Sequence, residues 1–175
     1  MSALEDTSVP AWCVTPTTPA VNTTGRHYTV VTVGPGASTV TEAWLAALAP
    51  LGAEAVRCIP ADDGESAIRS LGPELARARV GWRLLIAGPA DACLALRAAA
   101  LGAGIEDDEM VIASTRTDGT TVYCAHCGTC TPSDASIDDT VTCAGCRRGL
   151  LVFPHVARRT GSYLGFMADA EVPAR

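Results

Sequence analysis

Four short apolar runs alternate with helix-like segments between residues 26 and 115. Each run is rich in Val, Ile, Leu or Ala and carries few charges, which is typical of strands that are buried on both faces. Leucines, alanines and a tryptophan recur at helical spacing between the runs, as in helices that pack against a sheet. The expected strands are 27–33, 55–59, 83–87 and 110–114. The first expected helix follows a cap at 38 or 39 and stops near Pro50 and Gly52, and the other two are 66–80 and 91–101.

This alternation predicts a small three-layer α/β domain over residues 26–115, with a parallel sheet between two layers of helices. Ser38 or Thr39 is the expected N-cap of the first helix. Gly72 and Pro73 lie inside the second helical segment, so we expect that helix to be broken or in two parts. The pattern leaves the order of the strands open.

The chain changes character on both sides of this domain. Residues 1–25 are rich in Thr, Ser, Pro and Asn without an apolar period, which predicts an extended arm, more loosely ordered than docked. Trp12 is its one candidate anchor, to a partner or to the chain's own core. From residue 116, Thr, Asp, Gly and Cys dominate, which indicates a second module over 116–170.

Eight cysteines occur in the chain, and five of them fall between residues 124 and 146. Two C-x2-C turns, each carried by strands, direct four thiolates at one point, which is the geometry of a zinc ribbon. Gly128 and Gly145 suit the backbone angles of such turns. Four of the cysteines follow the spacing C-x2-C-x15-C-x2-C and are the expected metal ligands, namely Cys124, Cys127, Cys143 and Cys146.

The spacing leaves the metal open between zinc and iron. A rubredoxin-type iron site uses the same two turns, although such sites are usually surrounded by aromatic residues and only Tyr123 is near. Cys130 extends the first turn to C-x2-C-x2-C, but an iron–sulfur continuation is absent, so Cys130 is a free thiol or a substitute ligand. His126 either faces solvent or supports a ligand from outside the coordination sphere.

Composition and charge exclude several classes of function. The net charge is −6 and all 13 basic residues are arginines, which argues against general nucleic-acid binding. Neither a membrane-spanning run nor a secretory signal is recognisable, so we expect a cytoplasmic protein. His27, His126 and His155 are dispersed, and no catalytic constellation of its own is expected for the chain.

Charge is segregated within the second module. Residues 144–166 contain four arginines and no acid, whereas residues 102–143 contain eight acids and one arginine. This pattern predicts a docking surface for a protein partner, although a solvated face that balances the acidic loops is the alternative. The expected docking residues are Arg147, Arg148, His155, Arg158, Arg159 and Tyr163.

Glycines mark a possible nucleotide site in the first domain. Gly34 and Gly36 lie between a strand and a helix, where a phosphate can bind, and Gly88 ends the third strand. The turn is not a complete G-x-G-x-x-G and Pro35 removes one amide donor, so a plain tight turn is the favoured interpretation.

Residues 84–114 resemble the last strand–helix–strand of the nicotinamide-binding half of ferredoxin reductases. Gly88 and Pro89 match that family, but Ala87 stands in place of its cysteine. Ala113 and Thr115 stand in place of its glutamate and its aromatic residue. The resemblance therefore implies a retained scaffold without the residues for hydride transfer.

The cysteine module and the segment from His155 to Phe166, HVARRTGSYLGF, resemble the small-subunit family of dimethylamine monooxygenase. The resemblance implies a non-haem accessory protein within an NAD(P)H- and O2-dependent complex that demethylates dimethylamine to methylamine and formaldehyde. It implies two partners, a haem subunit and a flavin/iron–sulfur reductase subunit. The alternative is a rubredoxin-like iron electron carrier fused to a nucleotide-binding-like domain, and a third hypothesis is a zinc ribbon that binds nucleic acid.

Overall fold

The computed structural model of the protein describes residues 7–168 and contains two β-sheets that follow one another along the chain. The first sheet consists of β1 (His27–Val33), β2 (Val56–Ala61), β3 (Trp82–Pro89) and β4 (Met110–Arg116). Its helices are α1 (Ser38–Leu48), α2 (Gly64–Arg77) and α3 (Ala90–Gly102). The second sheet consists of β5 (Thr120–Cys124), β6 (Cys130–Ser133), β7 (Thr140–Thr142), β8 (Gly149–Ala157) and β9 (Ser162–Met167).

The first sheet is parallel throughout, with the strand order β2-β1-β3-β4. Alternate residues of each strand face opposite layers, as the two-residue period of a strand requires. Val30 and Leu85 pack against Trp44 of α1, whereas Val31 and Ile86 belong to the core beneath α2 and α3. The α/β class with a parallel sheet is therefore confirmed, and the helices lie on both faces.

Two helix predictions need correction. Ser38 is the first residue of α1 rather than its cap, and its hydroxyl donates to the Pro35 carbonyl. Helix α2 is one continuous helix that begins two residues earlier than expected, behind a capping box formed by Asp63 and Ser66. Pro73 lies inside α2 on its exposed side, so water can replace the hydrogen bond that proline cannot donate.

The second sheet has the strand order β6-β5-β9-β8-β7, and all its pairs are antiparallel except β5 with β9. One face of this sheet is buried and forms a core of its own with Val122, Val152 and Tyr163. Leu94 of α3 belongs to the same core. The two modules therefore share an apolar contact along α3.

The part of the N-terminal arm between residues 7 and 25 is packed against both modules. The Ser8 hydroxyl accepts from the Val156 N–H at 2.9 Å, and the Thr17 N–H donates to the Ser114 carbonyl at 3.2 Å. Trp12 packs against the cores of both sheets. Over these residues the arm makes contacts with the rest of the chain, and Trp12 contacts the chain's own core. Residues 1–6 lie outside the described part.

Within residues 7–168, every helix is too short or too polar to cross a membrane.

Candidate metal centre

Two turns of the second sheet bring four cysteine sulfurs together. Cys124 ends β5 and Cys143 directly follows β7, and each begins a C-x2-C turn. The four Sγ atoms, of Cys124, Cys127, Cys143 and Cys146, all lie within 4.8 Å of one another. The Cys124–Cys146 sulfurs are 3.7 Å apart and the Cys127–Cys143 sulfurs 3.5 Å. A tetrahedron with metal–sulfur bonds of about 2.3 Å has edges of about 3.8 Å, so the cluster fits one four-coordinate metal ion.

The backbone of the two turns repeats the same hydrogen bonds. In the first turn the Cys124 N–H donates to the Thr129 carbonyl at 3.0 Å, and the Gly128 N–H donates back to the Cys124 carbonyl at 2.9 Å. In the second, the Cys143 N–H donates to the Arg148 carbonyl at 2.8 Å, and the Arg147 N–H donates to the Cys143 carbonyl at 3.0 Å. The two halves of the site are therefore locally equivalent.

The residue after the second cysteine of each turn adopts a left-handed backbone. Gly128 has a φ of 75° and Arg147 a φ of 66°. The glycine pattern predicted that Gly145 adopts the unusual backbone angle of the second turn. This prediction was wrong, since Arg147 adopts that angle. A non-glycine residue there is strained by about 1 kcal/mol, so Arg147 closes the turn at a cost that the rest of the site must offset.

Gly145 has a different role, which is to leave space beside the sulfurs. A Cβ atom on Gly145 would lie 2.3 Å from the Thr129 Oγ1 atom and 3.1 Å from the Cys127 sulfur. Since Thr129 hydrogen-bonds Cys127, any side chain at this position must displace a ligand together with its hydrogen-bond donor.

We expect Gly145→Ala to weaken metal binding by about 10- to 100-fold, because it disturbs the hydrogen bonding around a ligand. Competition with a chromophoric chelator measures this affinity. Ala144→Ser is the matched control, since Ala144 lies between the same two cysteines and is exposed. Equal affinities of the two variants would contradict the role assigned to Gly145.

The electrostatics of the cluster favour a bound cation. Hydrogen bonds from the Thr129 hydroxyl and N–H lower the pKa of Cys127 to about 6, and the Cys146 N–H lowers the pKa of Cys143. The Arg148 N–H lowers the pKa of Cys146, but partial burial and the three neighbouring sulfurs outweigh it and raise that pKa to about 11. Four thiolates this close repel one another unless a metal ion neutralises them.

The other cysteines and His126 lie outside the cluster. Cys130 is exposed on β6, opposite Tyr123 in the strand pairing, and the described ligand group does not include it. Cys130 is therefore a free thiol in this arrangement rather than a substitute ligand. His126 is exposed at the tip of the first turn. Burial raises the pKa of Cys13 to about 12 and also raises that of Cys93, so both stay protonated.

The three glycines predicted to bind a nucleotide lie at the carboxyl ends of β1 and β3, which are neighbours in the first sheet. Gly34 has a φ of 71°, and its N–H donates to the Ala61 carbonyl at 2.9 Å. A Cβ atom on Gly88 would lie 2.8 Å from the Val33 Cβ atom. The close packing of β3 against β1 explains why residue 88 is a glycine. Nucleotide binding by Gly34, Gly36 and Gly88 stays a prediction.

The predicted docking residues separate into an exposed and a buried group. Exposed side chains belong to Arg147, Arg148, His155, Arg158 and Arg159. Tyr163 is only 6% exposed and hydrogen-bonds Cys13, so it belongs to the core rather than to a docking surface. Arg158 pairs with Asp107 at 2.9 Å, so part of the positive charge is balanced internally.

Two features of this module were not predicted from the sequence. A Cβ atom on Gly161 would lie 2.3 Å from the Leu94 carbonyl oxygen, so this glycine lets the β8–β9 turn touch α3. Phe153 and Phe166 form an exposed aromatic pair. The alternation of residues along β8 and β9 could have indicated the exposed phenylalanine pair. No local pattern indicates the close approach of Gly161 to α3.

These observations define a class: a two-sheet α/β protein with a closed four-cysteine cluster in its smaller module. Residues 121–166 match the family described as dimethylamine monooxygenase subunit DmmA-like, C-terminal domain. The second module is therefore similar to a DmmA-like C-terminal domain over these residues, and the family resemblance drawn from the sequence is confirmed.

A curated relative extends this match. The heme-dependent oxidative N-demethylase delta subunit of Ectopseudomonas mendocina (strain ymp) is 38% identical over 103 residues. The match covers 59% of this chain and 58% of that relative, so it spans little more than half of either protein. No solved structure matches the chain, and the likeness of the first domain to ferredoxin reductases stays a prediction.

Proposed function

We propose that this chain is a non-haem accessory subunit of a multicomponent amine monooxygenase, and that it organises the complex without a catalytic centre of its own. The observation that carries the proposal is the closed four-sulfur cluster within a DmmA-like domain. Four cysteine ligands leave a metal ion no open position for substrate or water. A metal held there stabilises structure rather than reacting.

We infer that the metal is zinc. Zinc prefers four thiolates in a tetrahedron and has no redox chemistry, which suits a structural site. A rubredoxin-like iron site is less well supported, because the aromatic pair Phe153–Phe166 is exposed and Tyr123 is only half-buried. Bound zinc would join the β5–β6 turn to the β7–β8 turn, since each contributes two of the ligands.

The proposed partners are a haem subunit and a flavin/iron–sulfur reductase subunit. The relative is named as a delta subunit of a haem-dependent oxidative N-demethylase, so companion subunits support this proposal. In the proposed complex, dimethylamine, O2, NAD(P)H and a proton give methylamine, formaldehyde, water and NAD(P)⁺. Haem and electron-transfer chemistry belong to the partners.

We assign NAD(P)H binding to the assembled complex rather than to this chain alone. Pro35 lacks the amide that a phosphate would need, and the Gly34 N–H is already used by the Ala61 carbonyl. The chain's part would be to complete a pocket with the reductase subunit. We further propose a cytoplasmic location. We also propose no role in nucleic-acid binding, because the net charge is −6 and the chain lacks lysine.

Elemental analysis and a visible spectrum of the same purified sample test the metal, and a demethylation assay tests the role. We expect one zinc per chain, no visible colour, and loss of dimethylamine demethylation by the reconstituted complex when the chain is omitted. One iron per chain with a thiolate charge-transfer spectrum would replace the accessory role by that of an electron carrier. Undiminished activity without the chain would also refute the proposal.

A further inference from the structure

A cavity with charged walls lies at the edge of the first sheet where the parallel strands begin. The starts of β1, β2 and β3 meet there with the end of α2, so this edge is opposite to the one that carries Gly34 and Gly88. The cavity volume is about 390 Å³, within the range of about 300–1,000 Å³ that small-molecule sites occupy. We call this cavity the basal pocket, and its polar and aromatic lining includes His27, Arg57, Glu74, Arg77, Arg79 and Trp82.

Three arginines from separate segments line the basal pocket. Arg57 lies on β2, Arg77 in the last turn of α2, and Arg79 in the connection from α2 to β3. Two carboxylates, of Glu54 and Glu74, also line it, so three guanidiniums against two carboxylates leave an excess of one positive charge when histidine is counted as neutral. The chain as a whole has a net charge of −6. Because a guanidinium is always protonated in a protein, the local excess is permanent.

Glu74 holds two of these arginines in place. The Glu74 Oε1 atom pairs with the Arg57 Nε atom at 3.1 Å and with the Arg77 Nη1 atom at 3.5 Å. The Glu74 side chain is only 15% exposed, and one carboxylate cannot neutralise two guanidiniums. Within residues 7–168, the ion pair of Arg57 uses Nε and leaves both Nη groups. Those two groups form the fork that binds a carboxylate or a phosphate through two parallel hydrogen bonds.

The other walls favour a ligand that also has a carbon body. The Arg79 Nη1 atom donates to the Ala78 carbonyl at 2.8 Å, which places positive charge against the negative end of α2. Trp82 is 7% exposed, and its Nε1 atom donates to the Thr29 hydroxyl at 3.1 Å. Since the polar atom of the indole is already used, Trp82 adds carbon surface to the lining.

We propose that the basal pocket binds a small organic anion. Its carboxylate or phosphate group pairs with Arg57 and Arg77, and its carbon body lies against Trp82. His27 and Arg79 are exposed at the same cavity and face the anion from the starts of β1 and β3. The pocket is separate from the four-cysteine cluster, so its test is independent of the proposed function.

Titration of the full chain with phenyl phosphate and with benzoate, at low salt, tests the pocket. Both probes carry an oxyanion on a planar carbon body, and benzamide is the neutral counterpart of benzoate. Chemical shifts of the backbone amides report which residues each probe contacts. We expect saturable shifts at the starts of β1, β2 and β3 with both anions and none with benzamide. The anion that binds more tightly identifies the head group that the arginines prefer.

Arg57→Gln/Arg77→Gln is expected to weaken binding of the tighter probe by about tenfold or more, because charge-assisted hydrogen bonds to the anion are lost. The matched control is Arg69→Gln/Arg116→Gln. It removes the same charge from two exposed arginines that also pair with carboxylates but lie outside the pocket, and it should bind like the wild type.

Arg79→Gln keeps the test sharp if loss of the Glu74 ion pairs disturbs the fold. Within residues 7–168 Arg79 makes no ion pair, so this variant leaves Glu74 with both of its arginines. We expect weaker binding by Arg79→Gln with an unchanged circular dichroism spectrum.

Three results would overturn the site. Equal weakening by the control pair would mean that the probes respond only to net charge. An absence of saturable shifts with both anions would mean that the pocket holds no such ligand. Shifts centred on the carboxyl ends of β1 and β3 would place the anion at the opposite edge of the sheet.

Discussion

Removal of the metal is expected to unfold the second sheet and to leave the parallel sheet folded. The metal would join two turns that are far apart in sequence, Cys124–Cys127 and Cys143–Cys146, in a module that spans only residues 120–167. Zinc binding to four-ligand sites contributes about 10–16 kcal/mol, which is comparable to or larger than the whole stability of a small domain. A module of this size has too little apolar core to fold without it.

Limited proteolysis with and without a chelator measures this effect. We expect new cleavage sites between residues 120 and 167, a partial loss of circular dichroism, and a protected fragment that contains the parallel sheet. Cys143→Ser should reproduce the result, whereas Cys58→Ser and Cys130→Ser should not, because both thiols are exposed outside the cluster. A proteolysis pattern unchanged in samples shown to lack metal would sink the prediction.

Gly161→Ala is expected to disrupt the contact between the two modules and to lower the free energy of unfolding by about 3 kcal/mol or more. Gly161 has a φ of 61°, which strains any other residue. Its new Cβ atom would lie 2.3 Å from the Leu94 carbonyl oxygen and 2.9 Å from the Ala95 nitrogen. These are backbone atoms inside α3, which cannot move without disturbing the helix.

The control variant Gly104→Ala shows the cost of backbone strain alone, without a steric clash. Gly104 also has a positive φ, of 89°, but apart from its chain neighbours no atom of residues 7–168 lies within 4 Å of the position where its Cβ would be. In urea unfolding, Gly161→Ala should lose clearly more stability than Gly104→Ala, and amides in the middle of α3 should exchange faster. Similar losses in the two variants would mean that strain alone explains both and that the contact with α3 is dispensable.

The elements of the first domain follow from local pattern because its strands are buried on both faces. Such strands read as continuous apolar runs, so β1, β3 and β4 are visible without any knowledge of their neighbours. The end of β2 is less visible, because Pro60 interrupts the run. Since β2 lies at the edge of the sheet, a residue without an N–H is tolerated there. The position of a strand within the sheet, which decides this, is not local information.

The metal site likewise has features that the sequence predicts and features that it does not. Spacing identified all four cysteines of the cluster, because a C-x2-C turn is a local structure that directs two thiols to one side. The left-handed conformation of Arg147 and the hydrogen bonds from Thr129 to Cys127 were not predicted. Both lie within single turns, but cysteine spacing specifies neither a backbone angle nor the position of a hydroxyl group. The pairing of β5 with β9 and of β8 with β9 is what brings the two turns face to face.

The sequence by itself therefore determined the α/β class, the four cysteines and the family resemblance, since period, spacing and motif are properties of adjacent residues. Only the tertiary structure decided that residues 7–25 join both modules, that Tyr163 is core, and that both phenylalanines lie outside. Each of these depends on which face of a strand or segment meets another element. Burial is a property of the whole packing arrangement. Alternation along β8 and β9 divides their residues between two faces, but only the packing of Val122, Val152 and Tyr163 into a core decides which face stays exposed.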